Sequence, residues 1–186
     1  LEPRLQRRYR QLVEEHLSPA QRLAPVLRAL PGTAKAFAST QAAWRFYQNP
    51  RVPLPRLARP LLAAGREAVP EHCDSFVLVM HDWSHLHYND HSSKADRVEL
   101  SQATELGYDL QTVLLVSDRN GDPLAPVSLS LRAADGVHCS RRAALRQPLS
   151  QLDELAPAMQ FVEKQNLGKP LVHIIDAEAD SVGHYR

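Results

Sequence analysis

The chain has 186 residues, a formal net charge of +1, 44% hydrophobic and 23% charged residues, enough for one full domain or one domain with a small appendage. The composition is that of an ordinary soluble globular protein, with no apolar stretch near the roughly 18 residues of a membrane span and no opening signal peptide. Its two cysteines, Cys73 and Cys139, fit neither a disulfide framework nor a four-ligand zinc site, so a reducing, cytoplasmic compartment is expected.

The first 70 residues read as helical. Leu5, Leu12, Val13 and Leu17 recur at roughly helical spacing, with Arg4, Arg7, Arg8 and Arg10 mostly on the other face. Ser18-Pro19 reads as a cap followed by a first-turn proline, opening a second helix over about 20–30 that ends at Pro31-Gly32. A third helix is expected over about 39–47, stopping before Asn49-Pro50, and a fourth over about 54–68. Trp44, Phe46 and Tyr47 are expected in the core. Short helices with a basic first turn suit a DNA-contacting module. Residue types alone favour a plain helical bundle with solvated arginines.

From Asp74 the pattern changes to strands. Phe76–Met80 is an apolar, β-favouring run ending at Asp82. A polar loop over 89–105 follows, then a strand over 108–117. Asn120-Gly121 is a hairpin signal, and the next strand runs over 125–132. Residues 133–148 read as a basic loop and 155–167 as a helix, with Pro157 tolerable near its start. Gly168 and Pro170 end that helix. A fourth strand, 171–176, ends at Asp176, and a helix begins near Ala179, with Glu178 and Asp180 as its first-turn acids. The order is β-β-β-α-β-α: a hairpin-joined meander and a helical crossover, giving a mixed sheet with flanking helices. A crossover can set the fourth strand parallel beside the first, with Asp82 and Asp176 at the same end.

A carboxylate closing a buried strand is expensive unless something pairs with it. Two of them on neighbouring strands suit a hard divalent cation, Mg²⁺ or Mn²⁺. The alternative is zinc held by the cluster His81, His85, His87 and His91. In an extended strand His81, His85 and His87 share a face opposite Asp82, so they converge with it only if the strand breaks at Trp83-Ser84. Asp90, Asp96 and Glu99 are expected in a loop too mobile to hold a ligand. Ser84 and Cys139 lack the surroundings of a nucleophile.

Four motifs in order carry a family resemblance: EPRLQRRYRQL (2–12), TQAAWRFYQNPRV (40–52), VLVMHDWSHLHY (77–88) and VHIIDAEADSVGHY (172–185). GYDLQTVLLV (107–116) also fits. Together they resemble bacterial insertion-sequence transposases of the DDE type, the cut-and-paste, hairpin-forming insertion-sequence-four family. The resemblance implies an α+β or α/β architecture: a helical DNA-end-binding domain (1–70) before a ribonuclease-H-like catalytic domain (71–186) truncated after the second catalytic aspartate. It implies Asp82 and Asp176 as catalytic metal ligands for Mg²⁺, with Mn²⁺ as substitute. Arg4, Arg8 and Arg45 become contacts to transposon-end DNA. The implied partners are transposon-end and target DNA, with a homodimer of the full-length protein near the bacterial nucleoid and no membrane. The family's third acid, a glutamate in a tyrosine–arginine–glutamate signature, has no counterpart here, and Trp83 stands where the family usually has threonine. The chain is therefore expected to be an N-terminal fragment without cleavage activity of its own, or the binding-competent remnant of a decayed element. A metal-dependent nuclease or hydrolase unrelated to transposition, built on the histidine cluster, is the other alternative.

Overall fold

A computed structural model describes residues 1–17, 33–145 and 151–175. The expected helix over 20–30, the end of the basic loop, Asp176, Glu178, Asp180 and the final helix lie outside the described residues. The chain divides into two compact units, Leu1–Arg56 and Leu57–Arg186. Among the described residues no helix is long and apolar enough to cross a membrane.

The first unit holds helices α1 (Pro3–Leu17) and α2 (Thr33–Tyr47). Proline at the first position of α1 forfeits no intrahelical hydrogen bond. Leu12 and Phe46 are buried, and the Phe46 ring stacks on Tyr9 with centroids 6.3 Å apart. Trp44 and Tyr47 depart from the expected core placement: they are 64% and 55% exposed. The 3.6-residue period explains this, because Phe46 points at α1 and its two aromatic neighbours are turned away by about 200° and 100°.

The second unit is a six-stranded mixed sheet with helices. A short turn, α3 (Leu54–Leu57), bridges the division, and α4 (Arg59–His72) precedes the sheet. The strands are β1 (Val77–His87), β2 (Val98–Glu99), β3 (Leu106–Ser117), β4 (Pro123–Ala133), β5 (Gly136–Cys139) and β6 (Leu171–Ile175). The helix α5 (Gln151–Glu163) precedes β6. The sheet order is β5-β4-β3-β1-β6, with β2 paired to β3. β1, β3, β4 and β5 form an antiparallel series, and β6 runs parallel to β1, as the crossover argument expects.

Period-two alternation puts Val77, Val79, Val113, Leu115 and Val127 on one face, where Val69 and Cys73 from the α4 region and Ala158 and Val162 of α5 complete the core. Gly65 lets α4 lie close to the sheet. A Cβ there would come within 3.0 Å of Leu115 Cδ1. This packing places the unit division before α4, whereas the sequence reading set the domain boundary near residue 70.

Other boundaries differ for physical reasons. β1 continues five residues past Asp82, because β3 pairs with it along its whole length, from Val77↔Ser117 to His87↔Gly107. Gly107 permits the tightest part of that pairing, since a Cβ there would lie 1.9 Å from the Leu86 carbonyl oxygen. β2 and β5 fall in stretches read as loops, being too short for periodicity to reveal. The helix expected over 155–167 runs earlier, with Pro157 inside it. Only the bond to the carbonyl four residues back is forfeited there.

The entrance to β1 is held by one carboxylate. Asp118, after β3, accepts the backbone N–H groups of Asp74, Ser75 and Phe76 at 2.7, 2.7 and 2.8 Å. Arg119 reaches Asp74, and Ser117 Oγ donates to the His72 carbonyl. The bonds from Phe76, then Asp74 and Ser75, hold the Asp118 carboxyl below the usual carboxylate range. Its contribution to stability is therefore complete above the unfolded value of about 3.9 and is lost as pH falls through the lower folded value. Asp118→Asn is expected to lower the melting temperature at neutral pH, and the loss of melting temperature on acidification below pH 4 should be shallower than in the parent. Equal acid limbs in thermal melts of the two proteins would contradict the clamp.

Candidate functional site

Asp82 sits mid-strand in β1, in register with Thr112. The sequence reading placed it at a strand end. β1 instead runs on to His87, and the described parallel pairing with β6, from Val77↔Leu171 to His81↔Ile175, reaches the residue before Asp82. It is exposed, on the face opposite the core, and accepts a hydrogen bond from Ser84 Oγ at 3.3 Å. Around it the same face carries Met80, Val172 and Ile174, each about two-fifths exposed. An exposed carboxylate beside apolar side chains offers hard oxygen donors of the kind Mg²⁺ takes. Among the described residues, no three His, Cys, Asp or Glu side chains stand close enough to share a metal ion. Asp82 fits as one ligand, and Asp176 lies outside the described residues.

The histidines do not assemble into the alternative zinc cluster. The strand does not break at Trp83-Ser84, so His81, His85 and His87 stay on the face opposite Asp82. His85 Nε2 lies 3.2 Å from Asp109 Oδ1, and its Nδ1 is 3.3 Å from Ser101 Oγ. His91 packs edge-on against Tyr88. Two of the three expected loop acids are pinned: Glu99 is in β2, and Asp96 accepts the Tyr108 hydroxyl at 2.6 Å, while Asp90 stays in an exposed turn.

The partner of His81 is one the sequence did not suggest, His173 of β6. The two rings meet Nε2 to Nδ1 at 2.9 Å. The parallel register makes this possible, since His173 is opposite Val79 and therefore on the core face beside His81. His81 Nδ1 and His173 Nε2 are buried without a partner. A hydrogen-bonded pair of neutral rings leaves one donor and one acceptor unpaired at its two ends, whichever tautomers are present. Burial first, then His173 and Arg141, pushes the His81 ring down to about 4, and burial also lowers His173.

This pair opens a polar end to the core. Across the sheet from it, Arg141 donates to Ser128 and Ser130 at 2.6 and 2.8 Å and pairs with Glu154 of α5, which also holds Arg142. Asp109, buried on β3, pairs with Arg132. Gln111 is buried with both amide atoms unpaired. Every one of these residues lies on the α4/α5 side of the sheet, opposite Asp82.

In the first unit, the three expected DNA contacts come together. Arg4, Arg8 and Arg45 line one groove of about 650 Å³, together with Arg7 and Arg51, which the sequence reading did not single out. Among the described residues that line it, Glu2 is the one acid. Arg4, Arg8 and Gln11 recur at helical spacing along α1, a signal present in the sequence, whereas Arg51 arrives through the turn after α2. That turn is set by Asn49, whose side chain accepts the Arg51 N–H at 2.9 Å. No protein-family model matches the chain, and no curated protein matches it.

The lowered histidines carry a sign that can be checked. Protonation is disfavoured in the folded state, so stability is unaffected by these rings above the unfolded value of about 6.5 and falls as pH drops towards 4. From His81 the loss is on the order of 2–3 kcal/mol. A His81→Leu/His173→Leu double variant is expected to lose stability less steeply between pH 6.5 and 4.5 in urea unfolding. Parallel profiles for parent and variant would rule the pair out as the source.

Proposed function

We propose that the chain is the DNA-end-binding and first catalytic part of a cut-and-paste DDE transposase with a ribonuclease-H-like catalytic fold. The observation that carries this is a register. His81 lies opposite Ile175 in the parallel β1/β6 pair, and Asp82 and Asp176 are the next residues of their two segments. Neighbouring strands lie about 4.8 Å apart, close enough for two such carboxylates to share a cation. The β4-β3-β1-β6 order, antiparallel through β1 and parallel at β6, is what a ribonuclease-H-like fold requires, and the convergence of Arg4, Arg8 and Arg45 on one groove is what the DNA contacts require.

In this reading Asp82 and Asp176 hold Mg²⁺, or Mn²⁺ in its place, which when bound supplies an activated hydroxyl nucleophile and stabilises the leaving oxygen of the cleaved strand. Ser84 orients the Asp82 carboxylate through its hydroxyl. The groove arginines take DNA phosphates and fix the register of the transposon end, a role that makes affinity fall with salt. The family's glutamate has no counterpart in these 186 residues, so cleavage is to be tested in a protein that contains it. The extended strand keeps His81, His85 and His87 on the face opposite Asp82, and His81 and His85 are turned to His173 and Asp109.

Two outcomes are expected. Asp82→Ala or Asp176→Ala, made in a protein that carries the third acid, abolishes strand cleavage with Mg²⁺ and leaves end binding within about twofold, since both residues are assigned to the cation and not to the phosphate contacts. Persistent nicking by either variant would overturn the assignment. Arg4→Ala, Arg8→Ala and Arg45→Ala each weaken duplex binding and flatten the dependence of log K on log salt by roughly one unit per lost phosphate contact. Unchanged slopes would make these residues solvated surface.

A further inference from the structure

We infer that Glu2 holds the place of a DNA phosphate in the arginine groove, so that the unbound protein partly closes its own binding surface. The inference rests on the reading of the groove as a DNA-binding surface and adds a regulation of that site. Among the described residues, five arginines line the groove and Glu2 is its one acid. The Glu2 carboxylate lies 3.6 Å from an Arg51 guanidinium nitrogen, Oε2 to Nη1.

The backbone at both ends of this contact is held in place. Glu2 directly precedes α1, and its carbonyl accepts the Gln6 N–H at 3.0 Å, the first helical bond. Gln6 further secures the entry by donating its side-chain amide to the Leu1 carbonyl at 2.9 Å. An acid at this position also suits the positive end of the helix dipole. Arg51 is held by the Asn49 turn, where Val52 N–H reaches the Asn49 carbonyl at 2.9 Å and Arg51 N–H its side chain.

A carboxylate presents two acceptor oxygens and one negative charge, the same face that a phosphodiester offers a guanidinium. The two are therefore competitors for Arg51. Both Glu2 and Arg51 side chains are exposed, about half and three-quarters, and an exposed pair of this kind is weak. It is weak enough for a phosphate to displace it. Displacement leaves Glu2 beside an incoming anion, so the acid costs affinity twice: it occupies one arginine and it repels the ligand.

The test is fluorescence anisotropy of a labelled mixed-sequence DNA duplex with the whole chain over a series of salt concentrations. The proteins compared are the parent, Glu2→Gln, Arg51→Gln, the double variant, Arg4→Ala and Arg8→Ala, each checked for helix content by circular dichroism. Glu2→Gln is expected to bind more tightly at low salt, by roughly three- to tenfold, with a salt slope steeper by about one because Arg51 is released to a phosphate. In the Arg51→Gln background the slope change disappears. Weaker binding by Arg4→Ala and Arg8→Ala, with Glu2→Gln equal to the parent or tighter at an unchanged slope, overturns this inference and leaves the groove reading standing. Unchanged binding by Arg4→Ala and Arg8→Ala overturns the groove reading and this inference with it.

Discussion

The second unit depends on the double pairing of β1. β3 bonds to it along all of its length, and β6 bonds to the other side of its first five residues. A strand bonded on both sides cannot slip by one residue without turning every side chain to the wrong face. That constraint buries Val77, Val79 and His81 and keeps Leu78, Met80 and Asp82 on the opposite face. It also gives the Asp82 position its character, since the strand there is braced by β3 and directly follows the last described β6 pair, His81↔Ile175. The clamp of Asp118 on the start of β1 secures the register from one end, and the close pairing at Gly107 secures it from the other.

The core face changes chemistry along β1. At its start the layer is valine and leucine against α4 and α5. From His81 onward it is polar: the His81–His173 pair, Gln111, the serines of β4, Asp109 with Arg132, and Glu154 between Arg141 and Arg142. Buried ion pairs of this kind add little net stability, but losing one partner is costly because the other is left charged and buried. Their effect here is positional. Glu154 ties α5 to the loop after β5, and α5 in turn leads through the chain to β6. The geometry of β6 beside β1 therefore rests on packing at one end of the core and on charge at the other.

Much of this was legible in the sequence. The apolar runs of β1, β3 and β6, the Asn120-Gly121 hairpin and the parallel return of the last strand follow from periodicity and turn chemistry. The arginines from Arg4 to Arg10 already marked a basic face of α1. What was not legible depends on partners distant in sequence. His173 finds His81 only through the β1/β6 register, and β1 extends through His-Asp-Trp-Ser-His because β3 is there to pair with it, not because those residues favour a strand. Trp44 and Tyr47 read as core by residue type, yet the helix period turns them outward while Phe46 takes the buried position. Arg51 reached the groove through a turn, for which an amphipathic pattern gives no signal.

The central claim is that Asp82 and Asp176 form one cation site at the end of the β1/β6 pair. Its most direct test is paramagnetic relaxation by Mn²⁺ in isotope-labelled protein, followed residue by residue through the amide signals. The account predicts broadening centred on Asp82 and the residues after Ile175, reaching outward by distance and abolished by Asp82→Asn or Asp176→Asn. Broadening centred instead on His81, His85 and His87, or spread evenly over the surface acids and unchanged by either substitution, would contradict it.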